Sequence, residues 1–135
     1  MQKSGARSLP SLSLRIDLDR EGRIGPGKIQ LLENIRKLGS ISAAGRAMGM
    51  SYRHAWLLVD SLNQAFRQPV IATRAGGHAQ RRAELTPFGR ELISRYHAMQ
   101  TIVATALADH LHALEDALKD GAEPPSMRDP GVPQG

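Results

Sequence analysis

Hydrophobic and polar positions follow two different periods along this chain of 135 residues, and each change of period marks a predicted element. Residues 12–18 alternate strictly, which is typical of a half-buried strand; the apolar members are Leu12, Leu14, Ile16 and Leu18. From Pro26 the apolar residues recur three and four apart as far as Leu38, and this spacing predicts a helix. Gly39 suits the left-handed position just after that helix.

Two further helices are predicted directly after the first. Ser40 or Ser42 can cap a short helix over residues 41–48, and Ser51 can cap a longer one over residues 52–66. Gly49 gives the backbone the freedom that a tight turn between them needs. The short helix carries small residues, as expected where two helices cross closely; these are Ala43, Ala44 and Gly45. The pattern predicts a helix-turn-helix, although other close helix pairs share it.

A β-prone run at residues 70–73, a basic Gly-rich loop and a second strand at residues 83–86 follow the third helix. This order predicts a wing beside the helix-turn-helix, and a solvated Arg-rich loop is the alternative interpretation. The wing residues expected at DNA are Arg74, Gly76, Gly77, His78, Arg81 and Arg82.

The third helix is the predicted recognition helix, because its polar start lies away from the apolar side. Helix N-termini of this kind enter the major groove, where they contact base edges and phosphates. The residues expected there are Ser51, Tyr52, Arg53 and His54. Trp56 is interpreted as a core residue that holds this helix to its neighbours.

One long helix is predicted from Pro87 to about Leu118, with Thr86 as its N-cap. An apolar stripe runs along it and continues beyond the reach of a small domain, so a partner helix is expected to bury it. The predicted dimerisation residues are Leu92, Tyr96, Met99, Val103, Leu107, Leu111 and Leu114. Residues 1–11 and 119–135 are expected to be flexible, the latter because they are rich in Pro and Gly.

Charge and composition narrow the functional classes. Residues 1–82 hold 14 Lys and Arg against 5 Asp and Glu, whereas residues 83–135 hold 4 against 8. A basic N-terminal part indicates a polyanionic partner, and scattered solubilising charge is the alternative. Cysteine is absent, and neither a signal peptide nor an apolar run long enough to span a bilayer is evident. We therefore expect a cytoplasmic protein.

Catalytic and metal-binding constellations are weak. His110 and His112 are two apart on a helix, so they point to different faces. His54, His78 and His97 have no evident carboxylate partners in the sequence, and the acidic residues of the basic half look unpaired. We therefore expect no enzyme activity, no metal site and no cofactor.

Four stretches carry a resemblance to a known family: Gly39-Ser40-Ile41-Ser42-Ala43-Ala44, Ser51-Tyr52-Arg53-His54-Ala55-Trp56, Gly76-Gly77 and Leu85-Thr86-Pro87-Phe88-Gly89. They closely resemble the N-terminal DNA-binding domain of the molybdate-responsive ModE regulators, and more loosely the LysR family. The resemblance implies a winged helix-turn-helix and a dimerising helix. ModE regulators also carry C-terminal β-barrel domains that bind molybdate; this chain ends in a Gly- and Pro-rich tail instead, so we do not expect it to bind molybdate.

The sequence thus predicts a mainly α protein with a small β wing. A winged helix-turn-helix domain spans residues 12–86 and a dimerisation helix spans residues 87–118. The predicted function is that of a homodimeric, sequence-specific regulator of transcription on double-stranded DNA. Two alternatives stay open: a winged helix that binds protein, and an architectural protein that binds DNA without sequence preference.

Overall fold

The computed structural model describes residues 12–19, 22–75 and 81–119. Over these residues the chain is mostly helical, with five helices and two antiparallel sheets of two strands each. In chain order the elements are β1 (Ile16–Asp17), β2 (Arg23–Ile24), α1 (Pro26–Leu38), α2 (Ile41–Ala47), α3 (Tyr52–Ala65), β3 (Ile71–Ala75), β4 (Arg81–Leu85), α4 (Pro87–Ala106) and α5 (Ala108–Asp116).

Helix α1 has the ends that the sequence predicts. Pro26 occupies its first turn, where the missing N–H costs no hydrogen bond. Gly39 lies just beyond its last turn with a φ of 79°, and its N–H donates to the carbonyl oxygen of Ile35 at 2.7 Å. The buried face of the helix consists of Ile29, Leu31, Leu32 and Ile35.

Helix α2 is short and packs closely against the longer helix α3. Ser40 and Ser51 cap them, each through a side-chain oxygen that accepts a backbone N–H. The turn between them contains Gly49, whose φ of 73° is in the left-handed region. A Cβ added at Gly45 would lie 3.0 Å from the Cβ of Ala55, so the two helices cross too closely there for a larger residue.

The N-terminal strand is shorter than the alternation predicts. Only Ile16 and Asp17 form β1, which pairs with a second short strand, Arg23–Ile24, that the sequence analysis did not predict. Two residues are too few to show a period, although Ile24 is buried and joins the core.

Strands β3 and β4 form a hairpin in which Ile71 is paired with Leu85 and Ala75 with Arg81. Both strands extend further toward the loop than the sequence predicts, to residues 71–75 and 81–85. Alternate side chains are buried against the helices; these are Ile71, Ala83 and Leu85. The other face of the hairpin is exposed, and Arg82 belongs to it.

The hairpin is attached to the helices through residues 70, 83 and 86. The backbone N–H of Ala83 donates to the carbonyl oxygen of Gly39 at 2.9 Å. Thr86 caps α4 as predicted, since its Oγ1 accepts the N–H of Gly89 at 2.9 Å. A Cβ at Gly89 would overlap the carbonyl oxygen of Val70, so the start of α4 packs directly on the chain entering β3. These contacts fix where the hairpin stands relative to the end of α1 and the start of α4.

The hydrophobic core gathers residues from α1, α2, α3, the hairpin and the first turns of α4. Leu92 and Tyr96 belong to it and are 6% and 1% exposed. The Tyr96 hydroxyl donates to the carbonyl oxygen of Leu14 at 2.5 Å, and burial raises the pKa of this tyrosine. Both residues were predicted to face a second protomer, but the structure places them in the core of their own chain.

The predicted single helix over residues 87–118 is interrupted. Helix α4 ends at Ala106, Leu107 has φ −98° and ψ 6°, and α5 begins at Ala108. No side chain caps α5, and Ala-Leu-Ala is a strong helix-forming run, so residue propensities give no sign of the interruption. The chain divides into two compact units near this point, one over residues 11–104 and another that includes residues 105–119.

In the second unit, none of the described residues of α5 is buried. Leu114 and Leu118 are each 68% exposed, whereas Leu111 is half-buried. Across the described ranges, every helix is too short or too polar to cross a membrane.

Candidate nucleic-acid interface

The start of α3 is an exposed helix end of the first unit, and it carries the basic side chain of Arg53. Ser51 Oγ accepts the backbone N–H of His54 at 3.1 Å, which stabilises the first turn. Tyr52, Arg53 and His54 all project into solvent from that turn. The structure therefore brings together the four residues that the sequence assigns to a recognition helix.

These residues lie on two flanks of α3. Arg53 and His54 line a shallow depression of about 340 Å³ together with Ser51, Leu57, Leu58 and Ser61. Tyr52 lies on the other flank with Trp56, one helical turn further along. The buried residues Ala55, Val59 and Leu62 occupy the remaining side, so both flanks stay accessible.

A larger open groove of about 610 Å³ lies between α2, the first half of α3 and the β3–β4 hairpin. Two arginines flank it: Arg46 at the end of α2 and Arg82 on β4. Its lining consists of Ser40, Ile41, Ser42, Arg46, Tyr52, Trp56, Thr73, Arg82 and Ala83. The groove thus combines an aromatic wall with positive charge and hydroxyl groups at its edges.

Trp56 is not a core residue, contrary to the sequence interpretation. Its side chain is 44% exposed and contributes to the wall of this groove. The reason is its position on α3, because the core side of the helix is already filled by Ala55 and Val59. An isolated Trp in a helical pattern is equally consistent with the core and with its margin, so the periodicity could not place it.

The hairpin presents part of the predicted wing. Arg82 is exposed. Arg74 lies opposite Arg82 in the hairpin, and the Arg74 guanidinium donates a hydrogen bond to the Glu84 carboxylate. Arg81 is part of β4, but its side chain lies outside what the structure describes, as do Gly76, Gly77 and His78. Among the described wing residues, Arg82 is therefore the one that lines the groove.

Arg46, Ser42 and Thr73 were missed by the sequence analysis. Arg46 Nη1 donates to Ser42 Oγ at 2.9 Å, one turn back on α2, so the guanidinium is held at the groove edge. The spacing of four between Ser42 and Arg46 was visible in the sequence. That both face the hairpin depends on how α2 packs, which the spacing does not reveal.

Two acidic residues of the basic half have partners, contrary to the sequence interpretation. Arg23 donates to the Asp17 carboxylate at 2.8 Å, and this hydrogen bond lowers the pKa of Asp17. His97 Nε2 lies 2.7 Å from Glu33 Oε2, which raises the pKa of the imidazole. Glu33 and His97 are 64 residues apart in the sequence, whereas Asp17 and Arg23 are six apart and meet across the β1–β2 pair. Over the described ranges, no three His, Asp or Glu side chains are placed to hold a metal ion.

Comparison with known proteins points to transcriptional regulators and molybdenum-binding proteins. No protein-family model matches the chain. It is 42% identical over 92 residues to the molybdenum-pterin-binding protein MopB of Rhodobacter capsulatus, an alignment that covers 67% of this chain and 34% of MopB. None of the relatives named here is described as an enzyme.

Two ModE proteins show similar matches. The molybdenum transport protein ModE of Azotobacter vinelandii is 32% identical over 104 residues, covering 77% of this chain and 38% of that protein. The DNA-binding transcriptional dual regulator ModE of Escherichia coli is 32% identical over 89 residues, covering 66% of this chain and 34% of that protein. These homologues support a relationship with the ModE and Mop proteins, and the chain spans about a third of the length of the relatives it matches.

Proposed function

We propose that this chain is a sequence-specific regulator of transcription that binds double-stranded DNA as a homodimer. In this proposal α2 and α3 form a helix-turn-helix, and the β3–β4 hairpin is the wing of a winged helix. The observation that carries it is the exposed start of α3 beside a groove flanked by Arg46 and Arg82. Similarity to a DNA-binding transcriptional regulator supports it. A regulator of this kind works in the cytoplasm, where bacterial DNA lies.

Helix α3 and the hairpin have different roles in this proposal. Arg53, at the start of α3, enters the major groove, where a guanidinium can make two hydrogen bonds to a guanine edge. Arg82 and Arg46 contact phosphates, which hold the protein on the duplex without reading its sequence. Charge supports the same orientation, because the basic excess of the chain lies within residues 1–82.

The apolar residues of the C-terminal helices form the proposed dimer contact. Leu92 and Tyr96 are excluded from it by their burial in the core. The remaining predicted residues are exposed or half-buried; these are Met99, Val103, Leu107, Leu111 and Leu114. Such side chains gain stability when a second copy covers them. Molybdate has no assigned site in this proposal.

Binding measured against several DNA sequences and salt concentrations tests the division of roles. Duplexes enriched from a randomised pool serve as the cognate sites, and scrambled duplexes serve as the reference. Arg53→Ala should cost about 1–3 kcal/mol on the cognate duplex and relax the preference at one position. Arg82→Ala should weaken binding to all duplexes alike and lower the slope of log K against log salt by about 0.9.

Arg95→Ala is the matched control, because it removes one exposed arginine on α4 that lines neither the groove nor the depression. It should leave sequence preference unchanged and alter the salt slope less than Arg82→Ala does. Identical profiles for Arg53→Ala and Arg82→Ala would contradict the separate roles. Equal affinity of the unmodified protein for cognate and scrambled duplexes would favour an architectural protein instead.

A further inference from the structure

Two large aromatic side chains are exposed side by side on α3. Tyr52 is 51% exposed and Trp56 is 44% exposed, and the spacing of four places them on one flank of the helix. Aromatic side chains carry much apolar surface, so leaving both in water forgoes a substantial gain in stability. Side chains of this kind at a functional surface indicate that a partner covers them.

The surroundings of this pair restrict the chemistry of the partner. The groove has the indole and phenol on one wall, whereas Arg46 and Arg82 flank it together with the hydroxyl groups of Ser42 and Thr73. An occupant must therefore be anionic at its edge and apolar where it meets the aromatic wall. A strand of duplex DNA has both properties, because its phosphates border a groove in which thymine exposes a methyl group.

We propose that Trp56, supported by Tyr52, determines specificity by contacting thymine methyl groups in the major groove. This inference rests on the proposed function and names the chemical feature that the site reads. Bases in a duplex are stacked, so their faces are closed to an indole, but their major-groove edges are open. Thymine alone among the four bases presents a C5-methyl group there, and apolar side chains are its usual contacts. Arg46 and Arg82 bind the neighbouring phosphates, and these contacts keep the indole against the methyl groups in the major groove.

Leu57 provides a matched comparison within the same helix. It follows Trp56 directly and is 46% exposed, which is nearly the same fraction. It faces the other flank of α3, however, in the depression that contains Arg53 and His54. Truncation of Leu57 removes a similar kind of exposed apolar group without touching the groove.

Replacement of single thymines by uracil tests the inference, because it deletes the methyl group and preserves base pairing. Affinities are measured for a set of cognate duplexes, each with one thymine replaced. The unmodified protein should bind about three- to fivefold more weakly when a contacted thymine loses its methyl group. Trp56→Ala should bind the unsubstituted duplex at least about tenfold more weakly and should no longer distinguish thymine from uracil at those positions.

Trp56→Phe should retain part of the discrimination, and Leu57→Ala should retain all of it at the positions that Trp56 reads. Circular dichroism and unfolding midpoints confirm that each variant is folded. The inference is overturned if the unmodified protein tolerates uracil everywhere, if Trp56→Ala keeps the full discrimination, or if Leu57→Ala abolishes it at the same positions. Absence of any sequence preference in the unmodified protein would overturn the proposed function together with this inference.

Discussion

The side chain of Asn63 on α3 is hydrogen-bonded to the start of the hairpin. Its Oδ1 accepts the backbone N–H groups of Val70 and Ile71 at 2.7 and 3.2 Å, and its Nδ2 donates to the carbonyl oxygen of Ile71 at 3.2 Å. Val70 and Ile71 are 0% and 3% exposed, so water cannot easily replace these hydrogen bonds. The amide therefore satisfies buried backbone groups at the start of β3, where the proposed wing begins.

Asn63→Ala should lower the free energy of unfolding by about 2–4 kcal/mol, because it leaves buried donors and an acceptor without partners. Urea denaturation measures the effect. Gln64→Ala is the control: Gln64 is the next residue of α3 and is exposed, so its truncation should change stability by less than about 0.5 kcal/mol. Equal effects of the two substitutions would show that the Asn63 hydrogen bonds contribute little.

At the scale of elements, helix α4 is tied to α1 by a contact that can change with pH. His97 on α4 meets Glu33 on α1, and Gln100 lies 3.2 Å from the other imidazole nitrogen. The Glu33 carboxylate raises the pKa of His97 above its ordinary value of 6.5, although partial burial and the nearby Arg36 oppose the shift. Protonated His97 thus favours the folded state.

The stability gained from His97 should be fully present below pH 6.5 and should disappear as the pH rises through the raised pKa of the folded state. His97→Gln and Glu33→Gln should each remove this part of the pH dependence. The difference between their unfolding midpoints and that of the unmodified protein should therefore shrink toward pH 8.5. Unfolding midpoints between pH 5.5 and 8.5 measure it. His112→Gln on α5 should leave the profile unchanged, and unaltered profiles for the first two variants would refute the linkage.

At the scale of the whole molecule, the exposed leucines of α5 bear on the proposed dimer. Leu111 and Leu114 are three residues apart and so share one face, and neither is buried. Leu107 is a poorer site for a test because it lies in the interruption between α4 and α5, where an Asp could act as a new N-cap. Leu111 and Leu114 therefore make the cleaner pair.

Leu111→Asp combined with Leu114→Asp should convert the protein to a monomer in sedimentation experiments, because unpaired charges are strongly unfavourable in an apolar contact. The first unit should stay folded, since its core lies within residues 11–104. Affinity for a two-half-site duplex should fall steeply when the second contact is no longer intramolecular.

His112→Asp combined with Ala113→Asp is the matched control for this pair. It introduces the same number of carboxylates on another face of α5 and should leave the protein dimeric. A double leucine variant that sediments and binds DNA like the unmodified protein would show that α5 is not the contact.

The ends of α1, α2 and α3 and the start of α4 were predictable from the sequence because their signals are local. Gly39 ends α1, Ser51 caps α3, and Thr86 with Pro87 begins α4, as the residue types predict. Each depends on hydrogen bonds or dihedral angles within about four residues, so neighbouring sequence is sufficient. The same locality predicted an exposed, polar start for α3, and with it the first four candidate site residues.

Tertiary packing decided what those elements face. An apolar period shows that one side of a helix is to be buried, but not which element covers it. Leu92 and Tyr96 were predicted to lie in a dimer contact, but they are buried in the core. Trp56 was predicted to lie in the core, but it lines the groove with Arg46. The sequence by itself determined the order of the helices and the limits of α1, α2 and α3, but not the interruption at Leu107 that separates α4 from α5. The groove depends on three consecutive elements, α2, α3 and the β3–β4 hairpin, and only their packing brings its residues together.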